Sequence, residues 1–183
     1  MAIKGQWTLG TKFRQCWNHL VKSSRFIMRY WGEMSMVDLF KSLCDKIIKT
    51  DGFVRFVGLA DEHGTLLASS ERKGLKPLLD NEQTAQYALA AVTRQYTRIR
   101  WQSILGKNDY TCSYYEKVFR VTIPITDARN RLCFVIIFTF DVAAKRFHSI
   151  IMNKIIPVVR ESEPKLMKKH SKRKWWVLFA SKN

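Results

Sequence analysis

The sequence is poor in three features: acidic side chains, closely spaced cysteines and long apolar runs. Its 183 residues hold 15 Asp and Glu against 32 Lys and Arg, for a formal net charge of +17. Cys16, Cys44, Cys112 and Cys133 form no C-x-x-C pair, which argues against a disulfide-stapled secreted domain and favours reduced, mostly buried thiols in a cytosolic protein. The longest apolar run, Leu132 to Phe138, is too short for the ~18 residues of a membrane span and indicates a strand.

The sequence also lacks a recognisable catalytic set. It has four histidines, and none has a second histidine at metal-ligand spacing: His19, His63, His148 and His170. We interpret His63, beside Asp61 and Glu62, as part of a solvated hairpin turn, because three adjacent turn residues rarely converge on one point. Gly106-Lys107 lacks the remaining residues of a phosphate-binding loop. The sequence therefore predicts no enzyme, no catalytic residue, no metal ligand and no cofactor.

A hydrophobic fraction of 46% and an aromatic fraction of 13% are ample for one folded domain. From residue 36 the patterns predict a helix, two strands, a helix, three strands and a helix. The second helix begins at the N-cap Asp80, with Gln83 three residues on, and is expected to bury its apolar face: Ala85, Ala88, Leu89, Val92 and Tyr96. Short turns between the strands imply an antiparallel sheet with helices covering its faces.

The sequence predicts five strands with approximate bounds. A hairpin is predicted from Phe53 to Ala60 and from Thr65 to Ser70, and three later strands over roughly 99–115, 118–125 and 132–140, the first of them broken near residues 106–109. We expect Glu116 and Lys117 to form a hairpin ion pair. Asp141 is expected to cap the last helix, and Pro157 to end or kink it because proline has no amide hydrogen.

Positive charge is concentrated at the two ends. The first 35 residues carry a net charge of +5 and residues 164–183 carry +7. We predict three parts: residues 1–34 as a basic amphipathic helical extension, 35–160 as the α+β sheet domain, and 161–183 as a linker over residues 161–164 followed by a basic, aromatic tail. On the N-terminal helix, Phe13, Trp17, Leu20, Val21, Ile27, Met28 and Trp31 share the apolar stripe, opposite Arg14, Lys22, Arg25 and Arg29.

The tail is predicted to bind an anionic surface. Its basic residues are Lys168, Lys169, Lys172, Arg173 and Lys174, and its aromatic residues include Trp175, Trp176 and Phe179. Each basic residue near an anionic bilayer contributes ~1 kcal/mol, and five contribute ~5 kcal/mol. The same charges would bind nucleic acid non-specifically, with the tryptophans stacking on bases. The aromatic block follows the charges instead of alternating with them, which favours the membrane.

The sequence resembles two known groups of proteins. The stretch from Tyr110 to Pro124 is similar to that of an uncharacterised family of archaeal proteins, and the likeness extends to the helix from Phe147 to Pro157. The element order α-β-β-α-β-β-β-α over residues 36–160 resembles the roadblock and profilin-like superfamily. That resemblance implies a homodimer that regulates or serves as a platform for small GTPases.

The leading hypothesis is a non-catalytic regulatory or scaffolding module in the cytoplasm, predicted to be a homodimer that binds a protein partner. Its tails would hold it peripherally at the inner membrane face. The alternatives are a nucleic-acid-associated protein and a small-molecule sensor domain of the PAS or GAF type, which would need a pocket between sheet and helices.

Overall fold

The computed structural model describes the backbone of residues 36–180 and the side chains of residues 36–171. Helix α1 covers residues 36–48, and the remaining elements are β1 (Val54–Asp61), β2 (Leu66–Glu71), α2 (Asn81–Ile99), α3 (Gln102–Leu105), β3 (Thr111–Tyr114), β4 (Val118–Thr126), β5 (Leu132–Asp141), α4 (Phe147–Ile150), a π-helical turn (Ile151–Ile155) and α5 (Ile156–Ala180). From Val37 onward the chain forms one unit. The N-terminal helix predicted over residues 1–34 lies outside the described residues.

The five strands form one antiparallel sheet in the order β2-β1-β5-β4-β3. Strand β5 is central, and every residue from Leu132 to Phe140 is buried. Its sequence is continuously apolar except for Thr139, as expected for a strand whose two faces are both covered. The predicted α+β fold is confirmed, and the bounds of β1, β2, β4 and β5 lie within one residue of those predicted.

Helices cover both faces of the sheet. On one face, α2 packs through Ala88, Ala91 and Val92 against side chains of β1 and β5, including Val135 and Ile137. On the other face, Phe134 of β5 contacts both α1 and α5. Its ring lies 5.7 Å from that of Phe40 and 5.3 Å from that of His170, centroid to centroid. The protein therefore has three layers, with β5 in the middle.

Helix α2 begins as predicted, and its buried face matches the prediction at Ala88 and Val92 only. Asp80 Oδ1 accepts from the Gln83 amide at 2.8 Å, and Gln83 Oε1 accepts from the Asp80 amide at 3.0 Å, a complete capping box. The buried residues are Ala88, Ala91, Val92 and Gln95, whereas Ala85, Leu89 and Tyr96, predicted as buried, are exposed. Small side chains lie against the sheet, where the helix approaches closely, and the larger ones lie outside.

The strand predicted from residue 99 begins only at Thr111. Residues 99–105 instead end α2 and form the short helix α3. The prediction was wrong because Trp101, Ile104 and Leu105 resemble strand residues in composition although their side chains are exposed.

The last helix differs from the predictions made for Asp141 and Pro157. Helix α4 begins at Phe147, so Asp141 does not cap it, and its carboxylate instead accepts from the Ala143 amide and the Arg55 guanidinium. The helix does not end at Pro157. The Ile156 amide donates to the Ile151 carbonyl five residues back, which places Pro157 in the first turn of α5, where its missing amide hydrogen is tolerated.

Residues 161–164, predicted as a linker, lie inside α5, with Pro164 exposed. The buried positions of α5 recur at helical spacing along the helix: Ile156, Val159, Ser162, Leu166 and His170. An interior proline costs about 3 kcal/mol, and burial of this stripe offsets that cost because a single large apolar side chain contributes about 1.5–3 kcal/mol. At least as far as His170, the tail is therefore part of the folded domain.

The hairpin turn between β1 and β2 requires glycine at position 64. Gly64 has φ +84°, and an added Cβ would lie 2.7 Å from the Cα of Leu89 in α2. We expect Gly64→Ala to lower the free energy of unfolding by about 2–4 kcal/mol, because left-handed strain and a backbone clash both contribute. Urea denaturation followed by circular dichroism measures this.

Gly74→Ala is the matched control, since Gly74 has φ +80° but a Cβ added there would meet no atom within 4 Å. It should show the backbone strain alone. Equal losses in the two variants would contradict the close approach of the turn to α2.

Candidate functional site

A cavity of about 760 Å³ lies between the first half of α2, the loop over residues 72–79 and the end of the sheet where β4 begins. This volume falls within the range of small-molecule sites in proteins. The loop supplies an apolar wall of Leu75, Pro77, Leu78 and Leu79, and the sheet supplies Phe56 and Val118. Leu75 and Leu78 are exposed, so apolar area on the loop remains in contact with solvent.

Arg120 is the distinctive side chain of this cavity. It projects from β4 beside Thr139 of β5, which also lines the cavity. Its guanidinium carbon lies 3.3 Å from the centroid of the Tyr87 ring, a close cation–π contact. Its Nε is buried and has no hydrogen-bond partner. Among the described residues no carboxylate lies within 4 Å of its guanidinium.

Burial also shifts the pKa of both members of this pair. Removal from water lowers the pKa of the Arg120 guanidinium from its ordinary value, because the charged form is poorly solvated. Burial raises the pKa of Tyr87, although the cation of Arg120 acts in the opposite direction. The chain thus holds a half-buried positive charge against an aromatic ring without an opposite charge from the described residues.

The remaining charges around the cavity leave an excess of cations. Arg55 is paired with Asp141 at 2.9 Å, and Arg72 donates to the Asp51 carbonyl at 2.6 Å. Lys76 and Lys117 also line the cavity, together with the carboxylates of Glu71 and Glu116. The predicted ion pair between Glu116 and Lys117 is not formed within 4 Å. The lining contains no histidine or cysteine, and it combines this excess of cations with apolar side chains.

A second polar contact joins α5 to the hairpin. His170 is 5% exposed, and its Nε2 lies 3.2 Å from Glu62 Oε1, although the two atoms are not aligned for a hydrogen bond. The Asp61 carboxylate accepts from the His63 and Thr65 amides, and His63 is exposed. His63 Nε2 lies 3.8 Å from Glu62 Oε1, so Glu62 contacts both its neighbour His63 and His170, a distant partner that sequence reasoning missed. The predicted solvated turn is only partly correct, because Asp61 is buried and Glu62 is half-buried.

A third feature is an exposed apolar surface at the end of α2, here named the α3 patch. It consists of Trp101, Ile104 and Leu105, which are 58%, 73% and 80% exposed. The chain continues from it into β3, a four-residue strand that pairs with β4 on one side only. Exposed apolar clusters of this kind mark interaction sites more often than isolated exposed side chains do.

The structure describes only part of the predicted anionic-surface site. Lys168 is exposed and Lys169 is half-buried. The backbone of residues 172–180 continues α5, while the side chains of Lys172, Arg173, Lys174, Trp175, Trp176 and Phe179 lie outside the described residues. The same holds for Arg14, Lys22, Arg25 and Arg29. The anionic-surface site thus stays a prediction.

Sequence reasoning missed both Arg120 and the α3 patch. Arg120 stands at an alternate position of an otherwise apolar strand, next to buried Val121, and an arginine on a face predicted to be covered was the available signal. Within the described residues, no group of three or more His, Cys, Asp or Glu side chains could hold a metal ion. Across that same part of the chain, no helix has the length and apolar character required to cross a membrane.

No family model matches the chain, and no curated protein matches it. Solved structures do resemble it. "MglB with tetrameric arrangement" is 14% identical, with a TM-score of 0.52, covering 72% of this chain and 87% of that chain. Myxococcus xanthus MglB is 15% identical, with a TM-score of 0.51, covering 74% and 90%. A Roadblock/LC7 domain from Streptomyces avermitilis is 12% identical, with a TM-score of 0.48, covering 69% and 97%.

At this level of identity the likeness shows the fold alone. It agrees with the predicted roadblock-like arrangement of a five-stranded antiparallel sheet between helices. The similarity to an archaeal protein family stays a prediction.

Proposed function

We propose that this chain is a non-catalytic regulatory or scaffolding module that forms a homodimer through the α3 patch and binds a protein partner. The observation that carries the proposal is the exposure of Trp101, Ile104 and Leu105 within one five-residue segment. Leaving such side chains in water is unfavourable by about 25 cal/mol for each Å² of apolar surface. Burial against a second copy removes that cost.

The surroundings of the α3 patch favour self-association. Tyr96, five residues before Trp101 on α2, is also exposed. A stable dimer buries about 800 Å² on each partner, so the patch needs contributions from such neighbouring side chains. The outer edge of β3 adds unpaired backbone groups that a second strand can meet.

The fold supports the same proposal. One structural neighbour is described as MglB with a tetrameric arrangement, which supports assembly of domains with this fold. The resemblance to roadblock domains makes a small GTPase the first partner class to test. We place the protein in the cytoplasm, peripherally at the inner membrane face, because the exposed Lys165 and Lys168 begin a basic series that continues along α5.

The homodimer is tested by mutation of the α3 patch. We expect the double variant Ile104→Glu/Leu105→Glu to be monomeric at concentrations where the wild-type protein is dimeric, because two buried carboxylates would oppose the interface. A shift of tenfold or more in the dissociation constant is expected. Sedimentation equilibrium measures both proteins.

Val142→Glu is the matched control, since Val142 is exposed in the turn after β5, outside the α3 patch. It should leave the dissociation constant unchanged. A wild-type protein that stays monomeric at high micromolar concentration would rule out the homodimer, and equal weakening by both variants would rule out the α3 patch as its interface.

A further inference from the structure

We propose that the cavity beside α2 binds a small amphipathic carboxylate, whose carboxylate group pairs with Arg120 and whose apolar body lies along the loop over residues 72–79. This site is separate from the α3 patch. Tyr87 and Trp101 are about 20 Å apart along α2 at the helical rise per residue. The inference therefore does not depend on the homodimer.

The position of Arg120 indicates an anionic ligand. An arginine side chain is long enough to reach solvent, yet here its guanidinium lies against the Tyr87 ring and its Nε is buried without an acceptor. A buried donor without an acceptor is costly, and more so when it carries charge. Because Arg120 lines the cavity, an anionic ligand there would supply the opposite charge that the guanidinium lacks.

The charges around the cavity favour a carboxylate among the possible anions. Arginine presents parallel N–H donors that match the two oxygens of a carboxylate. Lys117 lines the same cavity and is exposed, so it adds attraction without a fixed geometry. Glu71 and Glu116 also line the cavity and disfavour a ligand with several negative charges, so a single carboxylate suits the site.

The apolar wall of the cavity indicates that the ligand also has an apolar part. Leu75 and Leu78 are exposed although both line the cavity. A ligand with a hydrocarbon or aromatic body would cover them and gain the corresponding hydrophobic free energy. The cavity of about 760 Å³ exceeds what a short acid such as acetate needs, which indicates a ligand with an extended apolar part.

The test uses decanoate as probe, below its micellar concentration and at 150 mM salt, with isothermal titration calorimetry. We expect decanoate to bind at least tenfold more tightly than 1-decanol, which has the same chain without the charge. Arg120→Gln should weaken decanoate about tenfold to hundredfold, as expected for loss of a hydrogen bond to a charged group. It should leave the binding of 1-decanol unchanged, which also shows that the variant is folded.

Two further variants complete the test. Lys117→Gln alters an exposed residue and should weaken decanoate severalfold without affecting the fold. Arg129→Gln removes the same charge from the exposed turn between β4 and β5 and should have no effect. A general attraction of anions to this basic protein would weaken equally in all three variants, and that result would overturn the proposal.

Other results would also overturn it. These are the absence of decanoate binding at millimolar concentration, equal binding of decanoate and 1-decanol, and an Arg120→Gln variant that binds decanoate as the wild-type protein does. Decyl phosphate is the last arm of the experiment. If it binds more tightly than decanoate, the assignment of a carboxylate is wrong.

Discussion

Replacing Leu166 with alanine is expected to lower the free energy of unfolding by about 2–5 kcal/mol, the usual cost of emptying a fully buried leucine site. Leu166 is 0% exposed and lies beyond the segment that the sequence predicted as a linker. It belongs to the buried stripe that continues to His170. The expected loss is a large part of the stability of an ordinary domain.

Urea denaturation followed by circular dichroism measures this effect. Lys165→Ala is the control, because Lys165 is adjacent, exposed and part of the same helix, and its effect should stay within about 0.5 kcal/mol. If Leu166→Ala were as mild as Lys165→Ala, α5 would not be docked on the sheet beyond Pro164.

The second large effect is expected in membrane binding. We expect a variant with glutamine at five basic positions of α5 to lose binding to vesicles that contain phosphatidylserine: Lys165, Lys168, Lys172, Arg173 and Lys174. At ~1 kcal/mol for each charge the loss approaches ~5 kcal/mol, or several thousandfold in affinity. Vesicle sedimentation measures it, with uncharged phosphatidylcholine vesicles as the reference.

A matched control separates α5 from the general charge of the protein. It carries glutamine at five exposed basic positions elsewhere: Lys46, Lys73, Lys107, Arg129 and Lys145. Both variants lose the same charge, so equal loss of binding would contradict a role for α5. Truncation at Pro164 would not serve as a test, because it also removes Leu166 and His170 from the folded domain.

The same proteins are titrated with single-stranded DNA in parallel. Binding of DNA with no binding of vesicles would favour the nucleic-acid alternative and contradict membrane attachment. The expected result is the reverse, with vesicle binding that survives in the control variant and is lost in the α5 variant.

Local sequence patterns predicted most of the fold. Apolar runs bounded by turn residues predicted four of the five strands to within one residue, and the capping box at Asp80 predicted the start of α2. These features depend on neighbours along the chain. Predictions failed where partners distant in sequence decide the outcome. The buried side of α2 is one example, since Ala91 and Gln95 face the sheet while the more hydrophobic Leu89 does not.

The candidate site was even less predictable from the sequence than the fold was. The sequence indicated basic ends and no catalytic set, but it gave no sign of a cavity. Arg120 and Tyr87 come from a strand and a helix that meet only in the folded protein. Gly74 and Pro77 indicate a loop between β2 and α2, but nothing in the sequence of that loop indicates that Leu75 and Leu78 form one wall of a cavity.

The sequence by itself determined that this protein has a five-stranded antiparallel sheet with helices and a strong excess of positive charge. Apolar runs, turn residues, capping residues and charge can each be recognised from a few neighbouring residues of the chain. Only the tertiary structure decided that α5 continues through Pro164 to pack on the sheet, and that Arg120 lies against Tyr87 beside an open cavity. Both outcomes depend on contacts that bury side chains between elements far apart along the chain. Neighbouring residues in the sequence do not indicate such contacts.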